Sequence, residues 1–369
     1  MNNIRNSKFE MLRIISMFLI VMCHMFLIPV QSDNGSIIQT FHNSQSNLLI
    51  AESFGIFGRL GNNLFVLISG YFLINKNVDV ISSVRRILKI SISVSSWALI
   101  FFIISTVVLG FNPLLMIKSM FPIIFSLYWF VTPFVVLILI APFLNQIIST
   151  ITKKDSYYLL SICILVTSLI PTFTHQIRSK VGFTDIGIFI TLYLSAGLIK
   201  KYNLGSGFSK KALVASASIS MMLQIFNIYT IGYLAGKLQH FNLLSNIVYF
   251  NGQASILLYI PAIAIFLLVI KMNDFYSIII NRIASTAFGV YLIHQNPFII
   301  EWIFRSNWIK SFIDFNAYSY VFSILCIVIV VYLTCSLLEF IRQKLFTQIK
   351  FDSYERKVSN FVNQIFLKF

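Results

Sequence analysis

Residues 9–30 read FEMLRIISMFLIVMCHMFLIPV, and this run decides the fold class of the chain. It is long enough to cross a bilayer as a helix, which takes roughly 20 mostly apolar residues. It is too long for the core of a signal peptide and has no small-x-small cleavage site. We therefore expect it to remain as a first transmembrane helix, with Arg13 and His24 inside it.

The same apolar character extends along the whole chain. Of its 369 residues, 57% are hydrophobic and 11% are charged, whereas a soluble domain carries about 25% charged residues. Apolar runs of spanning length start near ten residues: Phe9, Ile56, Ile90, Tyr128, Tyr157, Asp185, Ala212, Gln253, Ile283 and Ala317. The sequence predicts an all-α, polytopic transmembrane helical bundle of about ten spans, the last ending near Phe340.

The net charge of +16 sets the predicted orientation. Lys and Arg lie in short clusters between apolar runs and do not form a patch with interleaved polar residues, so we predict no nucleic-acid partner. Alternate connections carry most of these residues, which predicts that both termini are cytoplasmic. We predict a transmembrane domain at 1–340 and a basic cytoplasmic tail at 341–369, whose alternating aromatic residues favour an interfacial position on anionic membrane lipids.

Arg13 and His24 lie on one face of the first helix. Eleven positions at about 100° each make roughly three turns, which places the two side chains ~16 Å apart along the axis. A cation near the cytoplasm and a deeper imidazole suit an anionic donor and an acid–base group. The alternative is an arginine that extends to the interface and a histidine with a structural hydrogen bond.

A basic cluster follows the second span. Arg85, Arg86 and Lys89 fall within five residues at the start of a helix, which suits a clamp for phosphate groups. Ordinary anchoring by positive charges on the cytoplasmic side is the alternative.

Polar residues near the outer ends of spans are candidates for binding a polar molecule from the outer side. Arg59 and Asn62 lie near the outer end of the second span, where a polar acceptor is within reach. Trp129 opens the fourth span and is also typical of an aromatic belt at the membrane interface.

The ninth span holds the densest polar cluster. Residues 285–297 read STAFGVYLIHQNP, with His294 near Tyr291, Gln295 and Asn296 and just before Pro297, a proline that frees backbone carbonyls. Simple packing is a poor explanation for so many polar groups at this depth. By contrast, all four cysteines lie in apolar runs without a CxxC pair, so we predict no metal site.

Four of these segments together resemble acyltransferase family 3, the integral-membrane O-acyltransferases that decorate bacterial surface glycans. Arg13 and His24 resemble the family's R-x10-H pattern, and residues 64–73 resemble its FFxxSGFLL segment. Tyr128-Trp129-Phe130 resembles its WF helix start, and residues 285–297 resemble its SxxxYLxHxP segment. The four occur in the order that the family shows.

One position departs from the family pattern. The family usually has two arginines separated by two residues after the second helix, whereas the second position here is Lys89. A lysine holds a phosphate as a point charge but not through two parallel hydrogen bonds.

The resemblance implies transfer of an acetyl (acyl) group from cytoplasmic acetyl-CoA to a hydroxyl of a surface or lipid-linked glycan, in a bacterial plasma membrane. It assigns the CoA phosphates to four residues: Arg13, Arg85, Arg86 and Lys89. His24 is then the general base or a transient acetyl carrier, and His294 and Tyr291 orient His24 or stabilise the oxyanion. Three residues are expected to bind the acceptor: Arg59, Asn62 and Trp129.

Two other functions remain open on the residues alone. A glycan transporter or flippase would use the same polar residues to line a pathway. The sequence lacks the paired broken helices and inverted repeat often seen in transporters. The third possibility is a non-catalytic membrane partner of a polysaccharide-synthesis complex.

Overall fold

The computed structural model describes residues 5–31, 37–74, 80–174, 185–304 and 307–348. Within these ranges the chain is an all-α bundle without strands. Its ten long helices are α1 (Ser7–Gln31), α2 (Ile37–Leu73), α3 (Val80–Leu109), α4 (Val131–Thr150), α5 (Lys153–Phe173), α6 (Asp185–Tyr202), α7 (Lys210–Leu238), α8 (Ile256–Ile270), α9 (Ile278–His294) and α10 (Ala317–Gln348). Each coincides with one of the ten apolar runs, so the predicted all-α fold class is confirmed.

Seven helices in the described part of the chain are long and apolar enough to cross a membrane: α1 to α5, α7 and α10. The apolar helices α8 and α9 are shorter, and α6 has 18 residues with one acidic and two basic side chains. Exposed apolar side chains cover the outward faces of α3, α7 and α10; Val107 on α3, for example, is 83% exposed. Such faces suit contact with lipid chains, which are as apolar as the side chains themselves.

Helix ends differ from the sequence prediction most at α2, α3 and α10. α3 begins at Val80 rather than near Ile90. α2 begins at Ile37 rather than near Ile56, because its first turns are polar and a hydropathy pattern detects only the apolar part. A kink at Ser44, where φ is −154°, separates the two parts. α10 continues past Phe340 to Gln348, and residues 349–369 of the predicted tail lie outside the described residues.

Three glycines of α2 bring this helix into close contact with α1. A Cβ atom on Gly58 would lie 2.5 Å from the Cβ and Sγ atoms of Cys23, and one on Gly61 would lie 2.4 Å from the Ser16 carbonyl oxygen. The Cys23 thiol donates a hydrogen bond of 3.2 Å to the carbonyl oxygen of Gly55. Small residues of this kind permit close helix packing in membranes. The two helices are therefore antiparallel and in backbone contact.

A buried ion pair joins α10 to α3 and α9. Glu339 accepts hydrogen bonds from Trp97 Nε1 (2.7 Å), Arg342 Nε (2.8 Å) and Arg342 Nη2 (2.7 Å). The Glu339 side chain lies against Gly289, where a Cβ atom would come within 2.2 Å of it. Since breaking a buried ion pair is costly, this network fixes the position of α9 between its neighbours.

Candidate active site

Two histidines that are 270 residues apart in the sequence meet inside the bundle. His24 Nδ1 on α1 lies 3.1 Å from His294 Nε2 at the end of α9. The second nitrogen of His294, Nδ1, lies 2.6 Å from the carbonyl oxygen of Val290. The His294 side chain is fully buried, whereas that of His24 is partly exposed. Among the described residues, His294 is the one hydrogen-bond partner of His24.

These contacts fix the protons of both rings when they are neutral. A carbonyl oxygen only accepts, so His294 Nδ1 carries the hydrogen and His294 Nε2 holds a lone pair. That lone pair accepts from His24 Nδ1, which must carry the hydrogen of the second ring. His24 Nε2 is therefore left with a lone pair on the more accessible of the two rings. This nitrogen can take a proton or attack a carbon.

The start of α4 is held against the end of α9. The Tyr291 hydroxyl accepts a hydrogen bond of 3.3 Å from the Phe130 backbone N–H, and Asn296 Nδ2 donates one of 2.9 Å to the Tyr128 hydroxyl. The Tyr291 ring also meets the His294 ring edge to face, with centroids 6.0 Å apart. Tyr291 thus contacts His294, and its hydroxyl is already engaged with the backbone of Phe130.

Trp129 lies between these two anchored residues. Its ring is 39% exposed and meets the Phe130 ring edge to face, with centroids 5.9 Å apart. The indole is therefore presented outward from a rigid segment next to the end of α9.

A cavity of about 360 Å³ opens near the first turns of α1 and α9. It is lined by Arg5, Arg13, Phe65, Ser69, Ile90, Phe134, Ala284, Ser285 and Phe288. Arg13 forms an ion pair with the buried carboxylate of Glu10, three residues earlier on α1. The cavity therefore combines two guanidinium groups and two hydroxyls with aromatic and aliphatic walls, which suits an anionic ligand that has an uncharged part.

The basic cluster at the start of α3 does not line this cavity. Arg86 precedes Ile90 by four residues, and Ile90 is part of the cavity wall. Residues four apart share a helix face, so Arg86 lies about one turn beyond the wall on the same side. Arg85 and Lys89 are exposed on the neighbouring face of α3. Of the three, Arg86 is the one that shares a helix face with Ile90 of the cavity wall.

A series of aromatic rings connects the cavity wall to the two histidines. The centroid distances are 5.9 Å from Phe65 to Phe130 and 5.4 Å from Phe130 to Phe134. Phe130 then lies 5.8 Å from Tyr291, which contacts His294. We call Phe65, Phe130, Phe134 and Tyr291 the ring cluster. Both histidines are absent from the described cavity lining, and Phe130 and Tyr291 connect the cavity wall to His294.

Arg59 and Asn62 lie in the second half of α2 and not near its first turns, because the helix begins at Ile37 and not near Ile56. Both lie beside the connection that precedes α8. Asn62 is buried and donates a hydrogen bond of 3.4 Å to Gln253, which donates one of 2.6 Å to Asn63. Arg59 is exposed, and its carbonyl oxygen accepts from Gln253 at 3.4 Å. Among the described atoms, Asn62 Oδ1 and Asn63 Nδ2 are buried without a hydrogen-bond partner. Buried polar atoms without a partner call for an explanation.

The site also depends on residues that the sequence-based prediction did not include: Glu10, the Val290 carbonyl and Gln253. Glu10 has a readable signal, since it lies three residues before Arg13, the spacing at which oppositely charged side chains pair on a helix. The other two depend on contacts between distant parts of the chain. Within the described ranges, no three His, Cys, Asp or Glu side chains are arranged to hold a metal ion.

Comparison with known proteins identifies the family. No curated protein and no solved structure matches the chain. A family model described as the acyltransferase domain matches residues 6–339, from the start of α1 to the ion-pair network of α10. Because this match covers nearly the whole chain, the protein belongs to acyltransferase family 3 and is a multi-pass membrane acyltransferase.

Proposed function

We propose that the protein is an O-acyltransferase of a bacterial cell membrane. It transfers an acetyl or related acyl group from cytoplasmic acyl-CoA to a hydroxyl of a surface or lipid-linked glycan. The observation that carries this proposal is the hydrogen-bonded pair of His24 and His294, because it leaves His24 Nε2 with an available lone pair.

In this proposal His24 Nε2 removes the proton from the acceptor hydroxyl as its oxygen attacks the thioester carbon. The new C–O bond forms, the C–S bond breaks, and the proton passes from His24 to the departing sulfur. While His24 is protonated, its Nδ1–H bond to His294 becomes charge-assisted and therefore stronger. His294 is itself oriented by Val290, so its role is to hold and stabilise His24.

A second route uses the same nitrogen as a nucleophile. His24 Nε2 would first attack the thioester carbon, so that an N–C bond forms, the C–S bond breaks and the thiolate leaves. The acceptor oxygen would then take the acyl group from His24 as the N–C bond breaks, and the hydroxyl proton would pass to the released thiolate. The two routes differ in one observable, since only the second leaves acyl label on the protein when no acceptor is present.

The donor is assigned to the cavity of Arg13. Guanidinium groups bind phosphates through two parallel hydrogen bonds, and Arg5 and Arg13 both line this cavity. Its aromatic walls suit the uncharged arm of the donor. Arg86, one turn away, is the best placed residue of the α3 cluster to add a further phosphate contact; Arg85 and Lys89 are assigned a weaker, longer-range attraction.

The acceptor is assigned to the polar residues of α2 and to Trp129. The unpartnered Asn62 Oδ1 and Asn63 Nδ2 supply one acceptor and one donor for hydroxyl groups. Arg59 and the exposed Trp129 ring add a cation and a flat apolar surface. These are the groups that a sugar needs, because each face of its ring is partly apolar and its rim carries hydroxyls.

The test follows label from radioactive acetyl-CoA into cell-surface glycan. Membranes with the wild-type protein are compared with membranes containing His24→Ala, and His240→Ala serves as a matched control at an exposed histidine. We expect label in the glycan with the wild type and the control only. Equal label with His24→Ala would remove His24 from the mechanism. Movement of the glycan across the membrane without any acetyl label would favour a transporter.

A further inference from the structure

A second cavity lies at the C-terminal ends of α2, α6 and α8. Its volume is about 310 Å³, and its lining shares no described residue with the cavity of Arg13. It is lined by Tyr71, Ile199, Lys200, Asn203, Leu204, Gly205, Ser206, Leu267, Ile270 and Lys271. The mechanism proposed above makes no use of it.

Two ammonium groups of this lining bond only to neutral partners among the described residues. Lys200 Nζ donates to the Tyr71 carbonyl oxygen at 2.6 Å and lies 4.3 Å from the centroid of the Tyr71 ring. Lys271 Nζ donates to the Ser206 carbonyl oxygen at 2.7 Å. A carbonyl satisfies a hydrogen bond but does not neutralise a charge.

Acidic residues are missing from the described lining of this cavity. Asp274, in the connection after α8, is already paired with Lys8 at 2.7 Å. This pairing lowers the pKa of the Asp274 carboxyl below its usual range, through hydrogen bonds from Lys8 and Asn6. The cavity therefore keeps an excess of positive charge that an anionic ligand would neutralise.

The turn after α6 shapes one side of the cavity. Asn203 and Gly205 both have positive φ values, 51° and 80°, on either side of Leu204. The turn is closed by a hydrogen bond of 3.3 Å from the Ser206 N–H to the Asn203 carbonyl oxygen. Gly205 also packs against Leu267, where a Cβ atom would come within 2.6 Å, so a larger residue would displace the turn.

We propose that this cavity binds the phosphate headgroup of an anionic phospholipid from the adjacent leaflet. The two lysines attract the phosphate, and the apolar wall of Ile199, Leu267 and Ile270 suits the lipid part. Basic pockets between helices at the cytoplasmic surface are typical sites for such headgroups. A free phosphate would use only the lysines and leave the apolar wall without a partner.

The test measures binding of short-chain phosphatidylglycerol to the detergent-solubilised full chain, with phosphatidylcholine, inorganic phosphate and CoA as competing probes. The pocket variant is Lys200→Gln/Lys271→Gln. The control is Lys210→Gln/Lys211→Gln, which removes the same charge from exposed residues at the start of α7. Because Lys200 also holds the end of α2, the single variant Lys271→Gln tests the site with less risk to folding.

We expect phosphatidylglycerol to bind at least tenfold more tightly than phosphatidylcholine. At about 1 kcal/mol per lysine, the double variant loses roughly 30-fold in affinity and Lys271→Gln roughly fivefold. The control should stay within about twofold, since its charges lie outside the cavity. Equal binding of the two lipids, or an equal loss in the control, would overturn the proposal. Displacement of the lipid by inorganic phosphate or CoA at similar concentration would assign the cavity to a soluble anion instead.

Discussion

Replacing His294 by alanine tests what each of the two histidines contributes to the rate of acyl transfer. The variant removes the acceptor of the 3.1 Å bond from His24 Nδ1, which becomes charge-assisted when His24 is protonated. Hydrogen bonds to charged groups contribute about 1.5–3 kcal/mol, and about 1.4 kcal/mol corresponds to a factor of ten. We therefore expect kcat to fall roughly 10- to 150-fold. His24→Ala removes the base itself and should cost roughly 10²- to 10⁴-fold.

The losses in rate caused by His294→Ala and His24→Ala should not combine in the double variant. Because His294 acts through His24, alanine at both positions should leave the same residual rate as His24→Ala alone. His294→Gln keeps an acceptor oxygen and should recover part of the rate, which a purely structural role would not predict. Thermal melting of each purified variant separates loss of activity from loss of folding, since His294 is fully buried.

The assay is acyl transfer from radiolabelled acetyl-CoA in membrane vesicles at equal protein content, with the initial rate taken over several donor concentrations. A double variant whose loss equals the product of the two single losses would show that the histidines act independently. A His294→Ala variant with the wild-type rate would refute the assignment of His294 to the site.

Three further predictions concern packing and donor binding. Gly58→Ala should lower stability by about 1–3 kcal/mol by separating α1 from α2, whereas Gly207→Ala, which meets open space, should leave the melting temperature unchanged. Glu339→Gln should destabilise the protein by about 3–5 kcal/mol because Arg342 stays buried without its carboxylate; an apolar pair at both positions should restore most of the loss in melting temperature. Arg13→Ala should raise KM for acyl-CoA roughly tenfold with little change in kcat, since it lines the cavity away from the histidines; a fall in kcat at constant KM would contradict a donor-binding role.

The helices were largely predictable because bilayer thickness translates directly into run length. The run at residues 9–30 predicted α1 almost completely, and each later apolar run predicted one helix. The start of α2 was not predictable in this way. Its first turns are polar, and they pack on neighbouring connections, as in the hydrogen bonds from Asn47 to the carbonyl oxygens of Ile313 and Phe315. Hydropathy carries no information about such contacts.

The site was predictable where it depends on local spacing and less so where it depends on distant contacts. Arg13 and His24 share a face of α1 by simple helix geometry, and both meet α9, through the cavity wall and through His294. The contact of His24 with His294 joins opposite ends of the chain, so only the family resemblance linked them in advance. The orientation of His294 by Val290 depends on a backbone carbonyl, which every residue has and no sequence pattern singles out.

Under the proposed function, the ring cluster has an electrical consequence for the cell. An enzyme that takes its donor from one side of a membrane and its acceptor from the other needs access from both sides, and a continuous column of water through it would carry protons and ions. Each charge that leaks dissipates about 2.3 kcal/mol per 100 mV of membrane potential. Phe65, Phe130 and Phe134 carry no polar side-chain atoms, and the Tyr291 hydroxyl is bonded to the Phe130 backbone. Under the proposed function, this apolar segment limits the leakage of ions between the two compartments.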